Sequence, residues 1–157
     1  MKIALLVIGK TDKTYFVDAI KEYADRLQHY VPFELIVIPD LKNAKNIPEQ
    51  QQKEKEGDLI LKNIQLGDEL VLLDERGKEF TSLKFADYMA RKMQTVSKRL
   101  VFVIGGPYGF SEEAYKKAKE SETLSRMPFS HQMVRLVFVE QLYRAMTILR
   151  GEPYHHE

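Results

Sequence analysis

The residues from Ile3 to Ile8 are apolar without interruption, the pattern of a strand covered on both faces. Over 12–30 the apolar positions Phe16, Ala19, Ile20, Tyr23 and Leu27 recur at helical spacing, and Pro32 ends the run. A second strand is predicted over 33–38, closed by Pro39-Asp40, and a polar loop rich in Lys and Asn over 41–48. The stretch 49–63 predicts a charged helix with few core anchors: Leu59, Ile60 and, at its end, Ile64. Gly67-Asp68 turns into a third strand over 69–73. A helix over 82–95 carries Phe85, Met89 and Met93 on one stripe, with Ser82 as N-cap. A fourth strand is expected over 99–104. The next helix, over 111–119, is capped by Ser111 and has Glu112 and Glu113 at its positive end. A short fifth strand over 123–125 and a final helix over 131–149 complete the pattern.

Strand and helix alternate throughout, which predicts an α/β fold: a largely parallel sheet with helices on both faces. No repeat or linker divides the chain, so residues 1–157 are expected to form a single domain. The final helix differs from the others because its apolar residues occupy nearly every angle around the axis. Such a helix must be buried all round. A partner subunit covers it, or it runs through the core of one chain.

Composition narrows the class. With 30% charged and 44% hydrophobic residues, disorder and membrane spans are excluded. The absence of cysteine removes disulfides, thiolate metal sites and a Cys nucleophile. The apolar start lacks a signal-cleavage pattern, and a cytoplasmic protein is expected. A net charge of +1 is unlike a protein that holds nucleic acid mainly by phosphate neutralisation. An RNA substrate would have to be read by shape, or by basic residues gathered on one face.

Candidate chemistry concentrates in the last third. Gly105-Gly106-Pro107-Tyr108-Gly109 follows a strand and precedes a helix, where open α/β sheets bind ligands. Its spacing is not the dinucleotide fingerprint, and no phosphate-loop lysine motif is present. A tight turn without ligand has the same sequence. Leu73-Asp74-Glu75-Arg76-Gly77-Lys78 ends another strand on the same sheet edge, either as a ligand wall or as an ordinary turn. His131 and Arg135 are one helical turn apart, and Glu140 and Arg144 have the spacing of a structural ion pair. The tail Pro153-Tyr154-His155-His156 offers groups that stack on bases and donate to phosphates, or it is an unstructured terminus. His155-His156 alone specify no metal site, and no metal is expected.

Several motifs together resemble one family. They are Gly9-Lys10 after the first strand, Lys55-Glu56-Gly57, and Ile104 through Gly109. To these are added the run from Pro128 to Arg135, Glu140-Gln141-Leu142-Tyr143-Arg144-Ala145, and Pro153-Tyr154-His155. The whole chain resembles the bacterial ribosomal RNA large subunit methyltransferase H family, of the SPOUT class. The resemblance implies a trefoil-knotted C-terminal region, an exception to the rule that chains do not thread loops. It implies a homodimer and no membrane partner. It implies methyl transfer from S-adenosyl-L-methionine to N3 of a pseudouridine in 23S ribosomal RNA of the assembled ribosome. By the family pattern the cofactor lies among Leu73, Gly105, Gly106 and the run Leu124, Ser125, Arg126, Met127, Pro128 and Phe129. His131, Arg135, Arg144, Tyr154 and His155 match the substrate and catalytic positions, and the tail of one subunit can complete the site of the other. His156 stands where some members carry Arg, and Ser130 where many carry Pro. Two other classes compete: a non-catalytic ribosome-associated binding protein of the same fold, and a doubly wound nucleotide-binding enzyme without RNA.

Overall fold

The computed structural model describes residues 1–42 and 44–156; Asn43, within the expected 41–48 loop, and Glu157 lie outside the described residues. The elements in chain order are β1 (Lys2–Ile8), α1 (Thr14–Leu27), β2 (Phe33–Ile38), α2 (Glu49–Lys62), β3 (Asp68–Glu79) and α3 (Ser82–Thr95). They continue with β4 (Arg99–Ile104), α4 (Glu112–Lys117), β5 (Glu120–Thr123) and α5 (Met133–Leu149). The strands pair side by side in the order β2-β1-β4-β3-β5. Every pairing is parallel.

The central strands β1 and β4 are apolar on both faces, so each face of the sheet has its own core. Ile3, Leu5, Leu100 and Phe102 meet α1, α3 and α5 through Ile20, Phe85 and Phe138. Ala4, Leu6, Leu72 and Val103 meet α2 and α4 through Ile60 and Ala114. No helix among the described residues is long and apolar enough to cross a membrane.

The structure departs from the pattern-based expectation at four places. The third strand does not stop at residue 73 but runs to Glu79. Leu73 and Lys78 both pair with Glu122, so the Asp74–Gly77 stretch is an irregularity inside the strand rather than a terminal turn. At Gly77 a Cβ would lie 2.4 Å from the Glu122 backbone nitrogen, so only glycine allows this crossing. The fifth strand lies at Glu120–Thr123, upstream of the expected 123–125. The N-cap of α3 is Thr81, whose hydroxyl accepts from the Lys84 amide at 3.2 Å. Ser82 is the first helical residue, and its hydroxyl donates to Gln141 of α5 at 2.9 Å. The last helix begins at Met133, because Ser130 Oγ accepts from the Met133 amide at 3.1 Å and leaves His131 in the preceding turn.

One chain covers much of α5. Phe138, Val139, Leu142, Ala145 and Met146 are buried between α1 and α3. Met133 remains exposed and Val137 half-exposed, on the same outward strip as Glu140 and Arg144.

Beneath α3 an acidic cluster surrounds Lys92. Lys92 pairs with both Glu69 and Glu120. Glu122 is 3% exposed, and neither carboxylate oxygen has a hydrogen-bond partner among the described residues. Burial first, and repulsion from Glu120 second, push its carboxyl up to about 8, against the pull of Lys92. The folded value lies above the unfolded one, so the folded state prefers the proton. The resulting stability is complete below the unfolded value of about 4.3 and is lost progressively up to about pH 8. Glu122→Gln is therefore expected to raise the melting temperature at pH 8 by several degrees more than at pH 4, in parallel melts. An equal shift at both pH values would contradict it.

Candidate active site

A cleft opens at the carboxyl ends of β4 and β5 beside the irregularity within β3, on the edge where open α/β sheets bind ligands. Its cavity volume is about 190 Å³ with an open mouth, below the roughly 300–1,000 Å³ of small-molecule sites. Leu73 ends one wall, Gly105 and Gly106 form the second, and Leu124, Ser125, Pro128 and Phe129 form the third. The three separate loops expected to hold a cofactor thus meet in one place. Arg126 and Met127 do not line it. The Arg126 side chain is 90% exposed and reaches Glu79 at 3.6 Å, and Met127 is exposed. Ser125 shapes its own loop: its hydroxyl accepts from the Met127 amide, and its carbonyl accepts from the Thr123 hydroxyl, both at 3.0 Å. Asp74, Pro107 and Val134, from motifs singled out in the sequence, also line the cleft, together with Phe110 and Glu122, which carried no distinguishing pattern.

Gly106 is glycine for a reason the sequence did not give. A Cβ there would come within 2.3 Å of Glu56 Oε1 on α2. The constraint comes from beneath the loop, not from the cleft side. Gly109 adopts φ +86°, a conformation glycine tolerates, and its amide donates to the Gly106 carbonyl at 3.2 Å.

The residues expected around the substrate separate into three places. His131 is exposed at the mouth of the cleft. Arg135, one turn on, faces inward and is 2% exposed. It donates to the Ile8 carbonyl at 2.9 Å and the Thr11 hydroxyl at 3.2 Å, bracing the end of β1. Burial lowers its guanidinium below the usual arginine range, against Asp12 and Asp40. Arg135→Leu is expected to cost about 1–3 kcal/mol, because the Ile8 carbonyl loses its buried donor. A denaturant melt checks this; a change below about 0.5 kcal/mol, the usual range of surface substitutions, would remove the bracing role.

Arg144, Tyr154 and His155 form the third group. Arg144 donates to Glu140 Oε1 through Nη2 at 2.7 Å and Nε at 3.1 Å. Tyr154 donates to the same oxygen at 2.9 Å, and its ring lies 4.8 Å from the guanidinium carbon. His155 Nδ1 is 3.0 Å from Arg144 Nη1. Burial, then hydrogen bonds with Tyr23 and Glu140, push the Tyr154 phenol well above its usual range.

The tail is therefore ordered through Tyr154 and His155. It folds back because α5 ends on Gly151 at φ +68°. The Glu152 amide donates to the Thr147 carbonyl and the Gly151 amide to the Ile148 carbonyl, the paired bonds of a Schellman cap. Tyr30 then donates to Glu152 at 2.8 Å and fixes the exit.

This third group and His131 are not together in one chain. Between Met133, where α5 begins, and Arg144 the helix axis rises about 16 Å at about 1.5 Å per residue.

Residues 1–155 match the family described as predicted SPOUT methyltransferase. The ribosomal RNA large subunit methyltransferase H of Parabacteroides distasonis is 69% identical over the full length of both chains. The protein of the same name from Bacteroides thetaiotaomicron is 62% identical, again over both full lengths. A solved structure of a probable methylase family protein from Haemophilus influenzae superposes with a TM-score of 0.53 at 13% identity, covering 99% of this chain and 70% of that one. That likeness concerns the fold alone. With a cleft at the strand ends and a family match over nearly the whole length, the chain belongs to the SPOUT methyltransferase family.

Proposed function

We propose that this chain, acting as one domain in a cytoplasmic homodimer, methylates N3 of a pseudouridine in 23S ribosomal RNA of the assembled ribosome, with S-adenosyl-L-methionine as donor. The observation that carries the reading is the convergence of the 73, 105–106 and 124–129 loops on one cleft with His131 at its mouth. The cleft suits the donor: Leu73, Leu124 and Phe129 offer apolar walls to an adenine ring, and Gly105 and Gly106 leave backbone accessible. The trefoil threading belongs to the same reading, supported by the family match. The net charge of +1 suits a shaped ribosomal target better than free RNA.

The donor supplies an electrophilic methyl carbon. The protein's task is to place N3 in line with it and remove the imide proton. His131 accepts that proton. Arg144 stabilises the charge developing on the imide, and Tyr154 offers a ring face to a base. Arg135 braces the end of β1 rather than touching substrate, in keeping with its bonds to Ile8 and Thr11. Because His131 lies a helix length from the Arg144 group, a complete site takes its tail from a second copy. The outward strip of α5, with Met133 and Val137, is the face such a copy would cover. Light scattering at micromolar concentration is expected to give twice the 18.3 kDa chain mass; a soluble monomer would contradict the dimer.

The deciding assay incubates the protein with labelled S-adenosylmethionine and either intact 70S particles or separated subunits. Label in the large-subunit RNA of 70S particles is expected. No transfer to any particle, with ribosome binding retained, would replace the enzyme by a non-catalytic binding protein of the same fold.

A further inference from the structure

Glu56 sits behind the cleft with one carboxylate oxygen unpartnered among the described residues. It lies on α2 and is 4% exposed. Gln52 Nε2 donates to its Oε2 at 3.3 Å, while Oε1 has no hydrogen-bond partner among the described residues. The carboxylate abuts Gly106 so closely that a Cβ there would lie 2.3 Å from Oε1 and 2.5 Å from Oε2. The next residue makes a second close approach: a Cβ at Gly57 would lie 2.2 Å from Oγ of Ser111, the cap of α4. Thus α2 presses on both ends of the 105–111 loop. Gly106 lines the cleft and has no side chain, so only backbone stands between the carboxylate and the cleft.

Burial pushes the Glu56 carboxyl above its usual range; the Gln52 hydrogen bond opposes this, Asp40 adds to it and His131 opposes it. Among the described residues, the groups acting on it are Gln52, Asp40 and His131, with no lysine or arginine. A buried carboxylate with an unpartnered oxygen is costly until a cation approaches.

We propose that Glu56 is the electrostatic seat of the donor's positive sulfur: across Gly106 it favours the sulfonium of S-adenosylmethionine over the neutral thioether of the demethylated product. This rests on the cofactor reading above. Glu56 acts through space and touches neither ligand, so it is a positioning residue. It draws in the charged donor and loosens the hold on the product once the charge is gone. The two ligands share the adenosine, ammonium and carboxylate groups and differ only in the methyl group and the charge it brings to sulfur. Their affinity ratio therefore reports the charge, and a merely structural contact would not move it.

Calorimetric titration of both ligands into the unmutated protein, Glu56→Gln and Glu56→Asp tests this. Glu56→Gln is expected to weaken S-adenosylmethionine about tenfold, the scale of one screened charge pair, and to leave the product within about twofold. Glu56→Asp keeps the charge but draws it back by one methylene, so the preference should fall only about two- to threefold. Equal losses for both ligands would make Glu56 a prop for the loop and overturn the proposal. If Glu56→Gln does not fold, an unchanged ratio in Glu56→Asp overturns it instead. If the unmutated protein binds neither ligand, the cofactor reading itself has failed and this inference falls with it.

Discussion

Gly106→Val is expected to abolish binding of S-adenosylmethionine and to lower the melting temperature together. The smallest side chain at 106 already meets the Glu56 carboxylate at 2.3 Å. Glu56 cannot retreat freely, since it is 4% exposed on a helix whose next residue, Gly57, packs too close to Ser111 to allow a Cβ. Either the 105–109 loop moves into the cleft or α2 moves off the sheet. Overpacking of this kind costs about 1–3 kcal/mol. For a chain of this size that is a fall of roughly 3–10 °C. The loop displacement should remove binding altogether, because the same loop is one wall of the cleft. Adding Glu56→Ala vacates the space and is expected to restore most of the melting temperature without restoring full affinity. Melts and titrations of the single and double variants check both halves. Undiminished affinity in Gly106→Val would place the cofactor elsewhere.

The α/β architecture was legible because it is written in local periodicity. The continuous apolar runs of β1 and β4 mark strands buried on both faces, and Ser111 before Glu112-Glu113 marks a helix start whose hydroxyl does accept from the Ala114 amide. What stayed illegible depends on contacts between distant segments. The β3 extension is polar and contains Gly77, so it resembles a turn; only pairing with β5 keeps it extended. Thr81 and Ser82 are adjacent hydroxyls, and sequence cannot say which caps. Arg135 shares a helical face with His131 on paper, but the turn at Ser130 takes His131 off the helix and leaves Arg135 pointing at β1. The three loops that line the cleft were marked by glycine, proline and apolar residues near strand ends, whereas Glu56 entered only within the Lys55-Glu56-Gly57 motif, with no role attached. One signal did mark it: Gly57 stands mid-helix, where glycine costs about 1 kcal/mol and needs a packing reason.

Mixing two inactive variants is expected to regenerate activity. With His131 in the proposed role of proton acceptor, His131→Ala should slow methyl transfer about 10²- to 10⁴-fold. With Arg144 in the proposed role of charge stabiliser, Arg144→Ala should cost about 10²- to 10³-fold. It also takes two donors from Glu140 Oε1 and the cation from over the Tyr154 ring, so the tail should loosen. Tyr154→Ala should cost about 1–3 kcal/mol, mainly in RNA binding. Each of these side chains is solvent-accessible, so the core should survive, and melts check that. If the tail of one copy completes the cleft of the other, a heterodimer of His131→Ala and Arg144→Ala holds one doubly damaged site and one intact site. Random re-pairing of equal amounts then restores about a quarter of the sites. If each site were built from a single chain, every site in the mixture would carry one lesion. Single-turnover methylation of 70S particles by the re-paired mixture distinguishes the two. Recovery toward a quarter supports the shared site. A rate no higher than the average of the two parents would return His131 and Arg144 to separate roles within one chain.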